Sequence, residues 1–337
     1  MSRKPIRIAV IGAGLFVEDT HLPSLLALRD DFTVVAIASR RPESAARLAA
    51  TMPCPVESTT DVDALLARPE IDAVDIAVPI AATAELVHKA LSSGKHVISE
   101  KPVAASSQEA RSLLALHRTK PGQVWLVAEN WRLEPAFRAA AASMRAGAIG
   151  APKIVQWTNY AGLMPDERYY TTTWRRSAEN DSGFILDGGV HHVAVLRLVV
   201  GEIAEIRAEV ALQRADLPPF DTVAATLRFE NGAVGTYLTT YAYQAPFPSA
   251  LHVVGDKGSL SVDTKRLVVH TPAGEAVRNF DSAHHGVQDG FAAFAGAIAS
   301  GRVTDHDPEE AIRDVLVVEA LMESARAATG VAPAKAD

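Results

Sequence analysis

An ammonium, a carboxylate and an imidazole stand out in this 337-residue sequence as groups able to donate, accept and orient protons: Lys101, Asp187 and His191. Lys101 ends the run Val97-Ile98-Ser99-Glu100-Lys101-Pro102, an apolar stretch closed by a carboxylate, an ammonium and a proline, which packing alone explains poorly. Val97 and Ile98 carry the β-branched bulk of an interior parallel strand, and Gly94-Lys95-His96 supplies the turn into it. Ligands bind outside the carboxyl ends of such strands, so Lys101 is expected to face a crevice. Pro102 biases Lys101 away from helical angles and turns the chain there. Asp187-Gly188-Gly189-Val190-His191 is expected to open a helix that runs to Val200 and stops at Gly201. If Asp187 starts it, His191 lies four residues on and shares its face, so the two side chains project together. Gly188 and Gly189 weaken a helix unless something must come close, although Asp187 is also a good N-cap.

The elements that would position these groups begin at Ile6–Ile11, a β-branched run closed by Gly12-Ala13-Gly14 and followed from Leu15 to Leu28 by helical apolar spacing. Strand, glycine turn and helix make a nucleotide-binding opening. Gly12 permits the tight turn, Gly14 lets the backbone approach a pyrophosphate, and Leu15 and Phe16 open the helix whose N-terminus would carry it. The third glycine of the full fingerprint falls at Val17. After the second strand, Phe32–Ser39, a dinucleotide fold usually places an acid for the ribose hydroxyl; here the chain reads Ser39-Arg40-Arg41. Serine can hydrogen-bond a 2′-phosphate and arginine can pair with it or stack on adenine, so NADP(H) is expected over NAD(H). The alternative is a solvated turn.

Helices at Pro42–Ala50, Asp61–Ala67, Thr83–Ser93 and Ser106–Arg118 alternate with strands at Val56–Ser58, Ala73–Val78, Val97–Glu100 and Val124–Ala128, which implies right-handed parallel crossovers. Val78-Pro79 ends its strand in the same sense as Lys101-Pro102, so Val78, Pro79, Glu100 and Lys101 join the expected cofactor contacts. The fold class is α/β: a Rossmann doubly wound parallel sheet over residues 1–124, then an α+β domain over 125–337 with a large, mostly antiparallel open sheet. That sheet is expected from Ile154–Tyr160, Ile206–Leu212, Thr222–Phe229, Ala233–Tyr241, Ala250–Val254 and Ser259–Asp263, with Glu230-Asn231-Gly232 as a hairpin turn. Tyr237, Tyr241 and Tyr243 are expected on one face, either as a homo-oligomer interface or as ordinary sheet residues. Asp307–Ala327 reads as one helix with Pro308-Glu309-Glu310 in its first turn, and Val331–Asp337 as a frayed tail.

The sequence resembles the glucose-fructose oxidoreductase, inositol dehydrogenase and MocA-like (Gfo/Idh/MocA) family over nearly its whole length. The matching marks are Gly12-Ala13-Gly14, Ala90 through Glu100-Lys101-Pro102, Asn130-Trp131-Arg132 with Pro135, Gly147-Ala-Ile-Gly150, Asp187-Gly-Gly-Val-His191, Val254-Gly-Asp-Lys-Gly258 and the segment from Asp307. The resemblance implies that Lys101, Asp187 and His191 meet over a nicotinamide: His191 as acid or base, Lys101 as polariser and proton partner, Asp187 orienting them or gripping a substrate hydroxyl. It also implies a cofactor-facing Trp174-Arg175 pair, with Trp174 as lid or core, and leaves Asn130 and Arg132 to touch cofactor or support the crevice. Four positions depart from the family pattern: Ile80 and Thr83 where Asn and His are common, Ala194 where Asp is frequent, and His192 directly after His191. The first two suggest a less polar pocket.

These readings make the chain an NADP(H)-dependent oxidoreductase for a carbonyl or secondary alcohol of a sugar, polyol or related small molecule. A non-catalytic dinucleotide-sensing regulator and a cofactor-recycling glycoside hydrolase or lyase are the rivals. The formal charge of -7 provides no footprint for nucleic acid or an anionic membrane. Cys54 is the only cysteine, which excludes an intrachain disulfide and a thiolate cluster and suits the cytoplasm. Met1–Pro5 shows no apolar signal region, and no apolar run approaches the roughly 18 residues of a bilayer span. No metal is expected: His191 and His192 point about 100 degrees apart on a helix, and His284-His285 lack carboxylates at ligand spacing.

Overall fold

The β-branched and alanine-rich runs of the first third form β1 (Ile6–Ile11), β2 (Phe32–Ala38), β3 (Glu57–Thr59), β4 (Ala73–Ile76), β5 (His96–Glu100) and β6 (Trp125–Ala128). The intervening amphipathic stretches form α1 (Leu22–Ala27), α2 (Pro42–Ala50), α3 (Val62–Leu66), α4 (Ile80–Ser92) and α5 (Ser107–Arg118). In the computed structural model, which describes residues 4–177, 183–281, 286–302 and 307–327, these strands are all parallel in the order β3-β2-β1-β4-β5-β6. The strand order reverses between β1 and β4, where a doubly wound sheet opens its ligand crevice. Side-chain caps start two of the helices: Asp61 accepts from the Ala64 N–H at 2.8 Å, and Ser106 from the Glu109 N–H at 3.3 Å.

The remaining elements are α6 (Pro135–Arg145), β7 (Pro152–Tyr160), α7 (Gly183–Asp187), α8 (Gly189–Val199), β8 (Ile203–Ala211), β9 (Thr222–Phe229), β10 (Val234–Thr240), β11 (Leu251–Gly255), β12 (Ser259–Val262), β13 (Arg266–Thr271), β14 (Gly274–Asn279), α9 (Val287–Ser300) and α10 (Pro308–Ala327). Their eight strands form one sheet in the order β14-β13-β12-β11-β7-β10-β9-β8, antiparallel except for the β7–β10 pair. Burial alternates residue by residue along β9, so the sheet has one core face and one outer face.

Several expectations change. β6 lies beyond residue 124 yet pairs with β5, and so extends the first sheet. Nor is the first core built from the N-terminal part alone. Val287, Phe291 and Phe294 of α9 are buried with Ile6, Ile8 and Phe32, because one face of the parallel sheet needs an apolar cover that the chain supplies only late. The β13–β14 hairpin, α6 and α9 were not anticipated. Tyr237 and Tyr241 point into the core at 2% and 7% exposure, and only Tyr243 is exposed. The outer face instead carries Ile154, Val234 and Val254, neighbours across β7, β10 and β11. Among the described residues no helix is long and apolar enough to cross a membrane. His284-His285 and the Val331–Asp337 tail lie outside the described residues.

Candidate active site

The carboxyl-terminal ends of β1, β2, β4, β5 and β6 and one inter-helix corner build the site. Gly12 follows β1 with φ +135°, and a Cβ there would stand 2.1 Å from the Ala77 carbonyl oxygen, so only glycine lets the turn lie against the end of β4. Gly14 is exposed and faces open space. Leu15 and Phe16 are half-buried at the start of the helix, and Val17, in place of the third glycine, is buried and begins a π-helical turn, Val17–His21. Val78 and Pro79 are half-buried between β4 and α4. Ile80 and Thr83 are buried at the start of α4, Ile80 within the main core. Ser39 follows β2, where its hydroxyl accepts from the Arg41 N–H at 3.3 Å; Arg40 and Arg41 are exposed.

The π-helical turn carries His21 into the interior. Its Nδ1 lies 2.8 Å from Asp75 of β4, and its Nε2 lies 3.1 Å from Glu100 at the end of β5. Burial opposes a charged ring, but the two carboxylates outweigh it and push the His21 pKa up to about 10. Both nitrogens then donate, so glycine-turn helix, β4 and β5 are held by one imidazolium. Glu100 thus spends its carboxylate on His21 and on the Lys101 N–H, at 3.2 Å. The folded pKa lies above the unfolded value of about 6.5. This stabilisation is therefore complete below about pH 6.5, declines above it and is lost as pH rises through about 10. Urea unfolding at pH 6, 8 and 10 should show that decline in the wild type and a flatter profile in His21→Gln. Parallel profiles would remove the assignment.

Lys101 follows β5, at a cis peptide bond to Pro102. Its Nζ donates to the Asp187 main-chain oxygen at 2.7 Å and to the Asp187 carboxylate at 3.1 Å. Arg175, in the 3-10 turn Thr173–Arg176, donates to the other carboxylate oxygen at 2.8 Å. Burial would raise the Asp187 carboxyl, but the neighbouring ammonium and guanidinium override it and hold it well below the usual carboxylate range. Trp174 packs partly against the main core, and the Arg175 guanidinium lies 4.2 Å from its ring centre. Asp187 does not open the helix of His191. It closes α7, Gly188 intervenes, and α8 begins at Gly189. A Cβ on Gly188 would meet the Tyr241 hydroxyl at 2.3 Å, and this close approach is why the corner is made of glycine.

His191 consequently has another partner. Its Nδ1 lies 2.5 Å from Oε1 of Glu129, the residue after β6, and the Trp131 ring stacks on the imidazole at 5.2 Å. Glu129 was missed by sequence reasoning, although a signal was present. Ala128 pairs with Glu100 in adjacent parallel strands, so Glu129 leaves β6 level with Lys101 leaving β5. Burial would raise the Glu129 carboxyl, but His191, Lys101 and Arg132 together lower it. His192 is buried with Nε2 2.7 Å from Asn159 Nδ2 and Nδ1 2.7 Å from the Tyr237 hydroxyl, and burial pushes its pKa down to about 3. Adjacent histidines therefore serve opposite ends: one faces a carboxylate at the site, and the other stays neutral in the core.

Asn130 is buried, with its carbonyl against Gly286, while Arg132 turns away from the crevice to Asp314 of α10. Among the described residues no cluster of three or more His, Cys, Asp or Glu could hold a metal ion.

Residues 6–127 match the family model described as oxidoreductase family, NAD-binding Rossmann fold, and residues 137–261 match the Gfo/Idh/MocA C-terminal domain. The chain belongs to the Gfo/Idh/MocA oxidoreductase family. It is 30% identical over 339 residues to dehydrogenase FPY6 of Fusarium mangiferae, covering 95% of this chain and 96% of that one. It is 31% identical over 268 residues to a dTDP-3,4-didehydro-2,6-dideoxy-α-D-glucose 3-reductase of Saccharopolyspora spinosa, covering 77% and 75%. The crystal structure of an oxidoreductase from Thermotoga maritima superposes with a TM-score of 0.89 at 30% identity, covering 95% of this chain and 97% of that one. As a family member the chain is a dinucleotide-binding oxidoreductase, and Lys101 directly follows β5 of its Rossmann sheet.

Proposed function

We propose that this chain is an NADP(H)-dependent oxidoreductase interconverting a carbonyl and a secondary alcohol on a sugar, polyol or related small molecule. The observation that carries the reading is the Lys101 ammonium, held by two oxygens of Asp187 at the end of β5, in the same parallel sheet as the glycine turn. The site fits the cofactor: Gly12 draws the turn against β4, Gly14 leaves room above the backbone, and Arg40 and Arg41 are exposed. Gly12, Gly14 and the helix start at Leu15 and Phe16 would hold the pyrophosphate, and Ser39, Arg40 and Arg41 a 2′-phosphate. When bound, the nicotinamide supplies or accepts hydride. Lys101 has three N–H donors and gives two to Asp187, which leaves one for a substrate oxygen. That donor stabilises negative charge developing on the oxygen, in a crevice where Asp187 and Arg175 keep the ammonium from swinging away. The Saccharopolyspora relative reduces a nucleotide-linked keto sugar, which supports a sugar-like substrate.

Turnover of NADPH and NADH over a panel of sugars, inositols, ketones and aldehydes tests the reading. NADPH is expected to have the higher kcat/KM, and the Arg40→Ala/Arg41→Ala double variant to lose about 10- to 100-fold with NADPH alone, as expected for lost charge-assisted hydrogen bonds. Equal use of both cofactors by the wild type would remove the NADP assignment. Tight binding of either cofactor without turnover of any substrate would remove the enzymatic one.

A further inference from the structure

We infer that Glu129 is the positioning residue that presents Nε2 of His191 to the substrate by holding the other ring nitrogen, Nδ1, as a hydrogen-bond donor. The inference rests on the oxidoreductase reading of the site, and deepens it by naming the proton-transfer atom. Asp187 is unavailable for this task, because both its carboxylate oxygens are engaged by Lys101 and Arg175. Glu129 is buried at 2% exposure, and its Oε1 faces His191 Nδ1 at 2.5 Å while accepting from the Trp131 N–H at 3.1 Å. Its Oε2 is buried without a hydrogen-bond partner among the described residues. A buried carboxylate left half-satisfied destabilises a fold, and such exceptions gather at functional sites. Trp131, stacked within 15° of the imidazole plane, fixes the ring's second degree of freedom.

With Nδ1 committed, Nε2 has no hydrogen bond to a described residue, and the side chain keeps 15% exposure. In the reductive direction the Nε2–H bond breaks and an O–H bond forms on the substrate oxygen, leaving the neutral ring with its proton on Nδ1. Glu129 stays ionised throughout, and solvent returns the proton to Nε2. In the oxidative direction Nε2 takes the hydroxyl proton. A free imidazole favours the opposite tautomer, so the Glu129 bond changes which nitrogen can act.

The test uses the full chain with 15N-labelled histidine and no cofactor, so that it reads the pair whatever the substrate is. Long-range 15N–1H spectra of the wild type, with His191→Gln to assign the ring, should place the neutral-ring proton of His191 on Nδ1. Glu129→Gln should shift the His191 ring nitrogens and lower kcat about 100-fold, the scale seen when an orienting partner is lost, with cofactor binding unchanged. A neutral His191 with its proton on Nε2 would overturn the inference. So would a Glu129→Gln variant that loses kcat while the ring signals stay in place, since that pattern marks a merely structural role. If Glu129→Gln does not fold, the wild-type tautomer decides alone. If the wild type turns over no substrate, the oxidoreductase reading fails while the tautomer still reports on the pair.

Discussion

Lys101→Ala is expected to lower kcat about 1,000-fold, the scale of losing a preorganised charge aimed at a developing oxyanion. The reason is geometric. Nζ is fixed by the main-chain and carboxylate oxygens of Asp187 at 2.7 and 3.1 Å, so its remaining donor has a defined direction. The fold should tolerate the change, because Arg175 still neutralises Asp187 at 2.8 Å when the ammonium is gone. The glycine turn and Ser39-Arg40-Arg41 are untouched, and cofactor binding should therefore be retained. Steady-state turnover followed by the absorbance of the reduced nicotinamide, alongside cofactor titration by fluorescence, separates the two. A loss of less than about tenfold would move the charge stabilisation to other groups, since that role alone contributes more than that. Simultaneous loss of cofactor binding would make Lys101 a binding residue.

Asp314→Ala should have the largest effect on stability, about 4 kcal/mol, because it leaves the buried Arg132 without its counter-charge. Asp314, on α10, is 0% exposed and accepts from Arg132 at 2.7 and 2.6 Å and from Arg197 at 2.5 Å. Arg197 retains Glu202 and Glu310 in the variant, whereas Arg132 loses its ion-pair partner and already has a buried Nε without an acceptor among the described residues. Arg132 lies in the 3-10 turn Asn130–Leu133 directly after Glu129, so the same change loosens the segment that carries the carboxylate facing His191. Urea unfolding measures the loss. Arg228→Ala, which removes an exposed pair with Glu205, is the control and should cost less than about 1 kcal/mol. Equal small effects from both variants would show that the buried cluster contributes little net stability.

Much of the first domain was legible residue by residue. The β-branched runs, the glycine turn and the X-Pro strand endings placed Lys101 directly after a strand of the parallel sheet, and the expected helix starts at Asp61 and Ser106 are the caps of α3 and α5. These signals are local: strand burial, turn conformation and capping each depend on a few consecutive residues. The pairings within the site were not legible. Helical spacing suggested Asp187 with His191, because four residues apart is the only adjacency that a sequence of that segment displays. In the fold Asp187 ends one helix, meets a lysine 86 positions away, and leaves His191 to a glutamate 62 positions away. Neighbouring ends of parallel strands make those contacts, and strand order is fixed by crossovers and core packing that involve the whole chain.

The same distinction explains the remaining surprises. Asp75 lies within a buried strand, and only the π-helical turn that swings His21 inward shows which residue answers it. By itself the sequence determined the strands and glycine turn of the Rossmann unit, the place of Lys101 and the absence of an acid after β2, because each is written in contiguous residue types. Tertiary structure alone decided that α9 covers the first sheet, that Tyr237 and Tyr241 face inward, and which carboxylate serves which cation. Those outcomes depend on which surfaces must leave water together, and on desolvated charges finding opposite charges, in a space where residues far apart along the chain become neighbours.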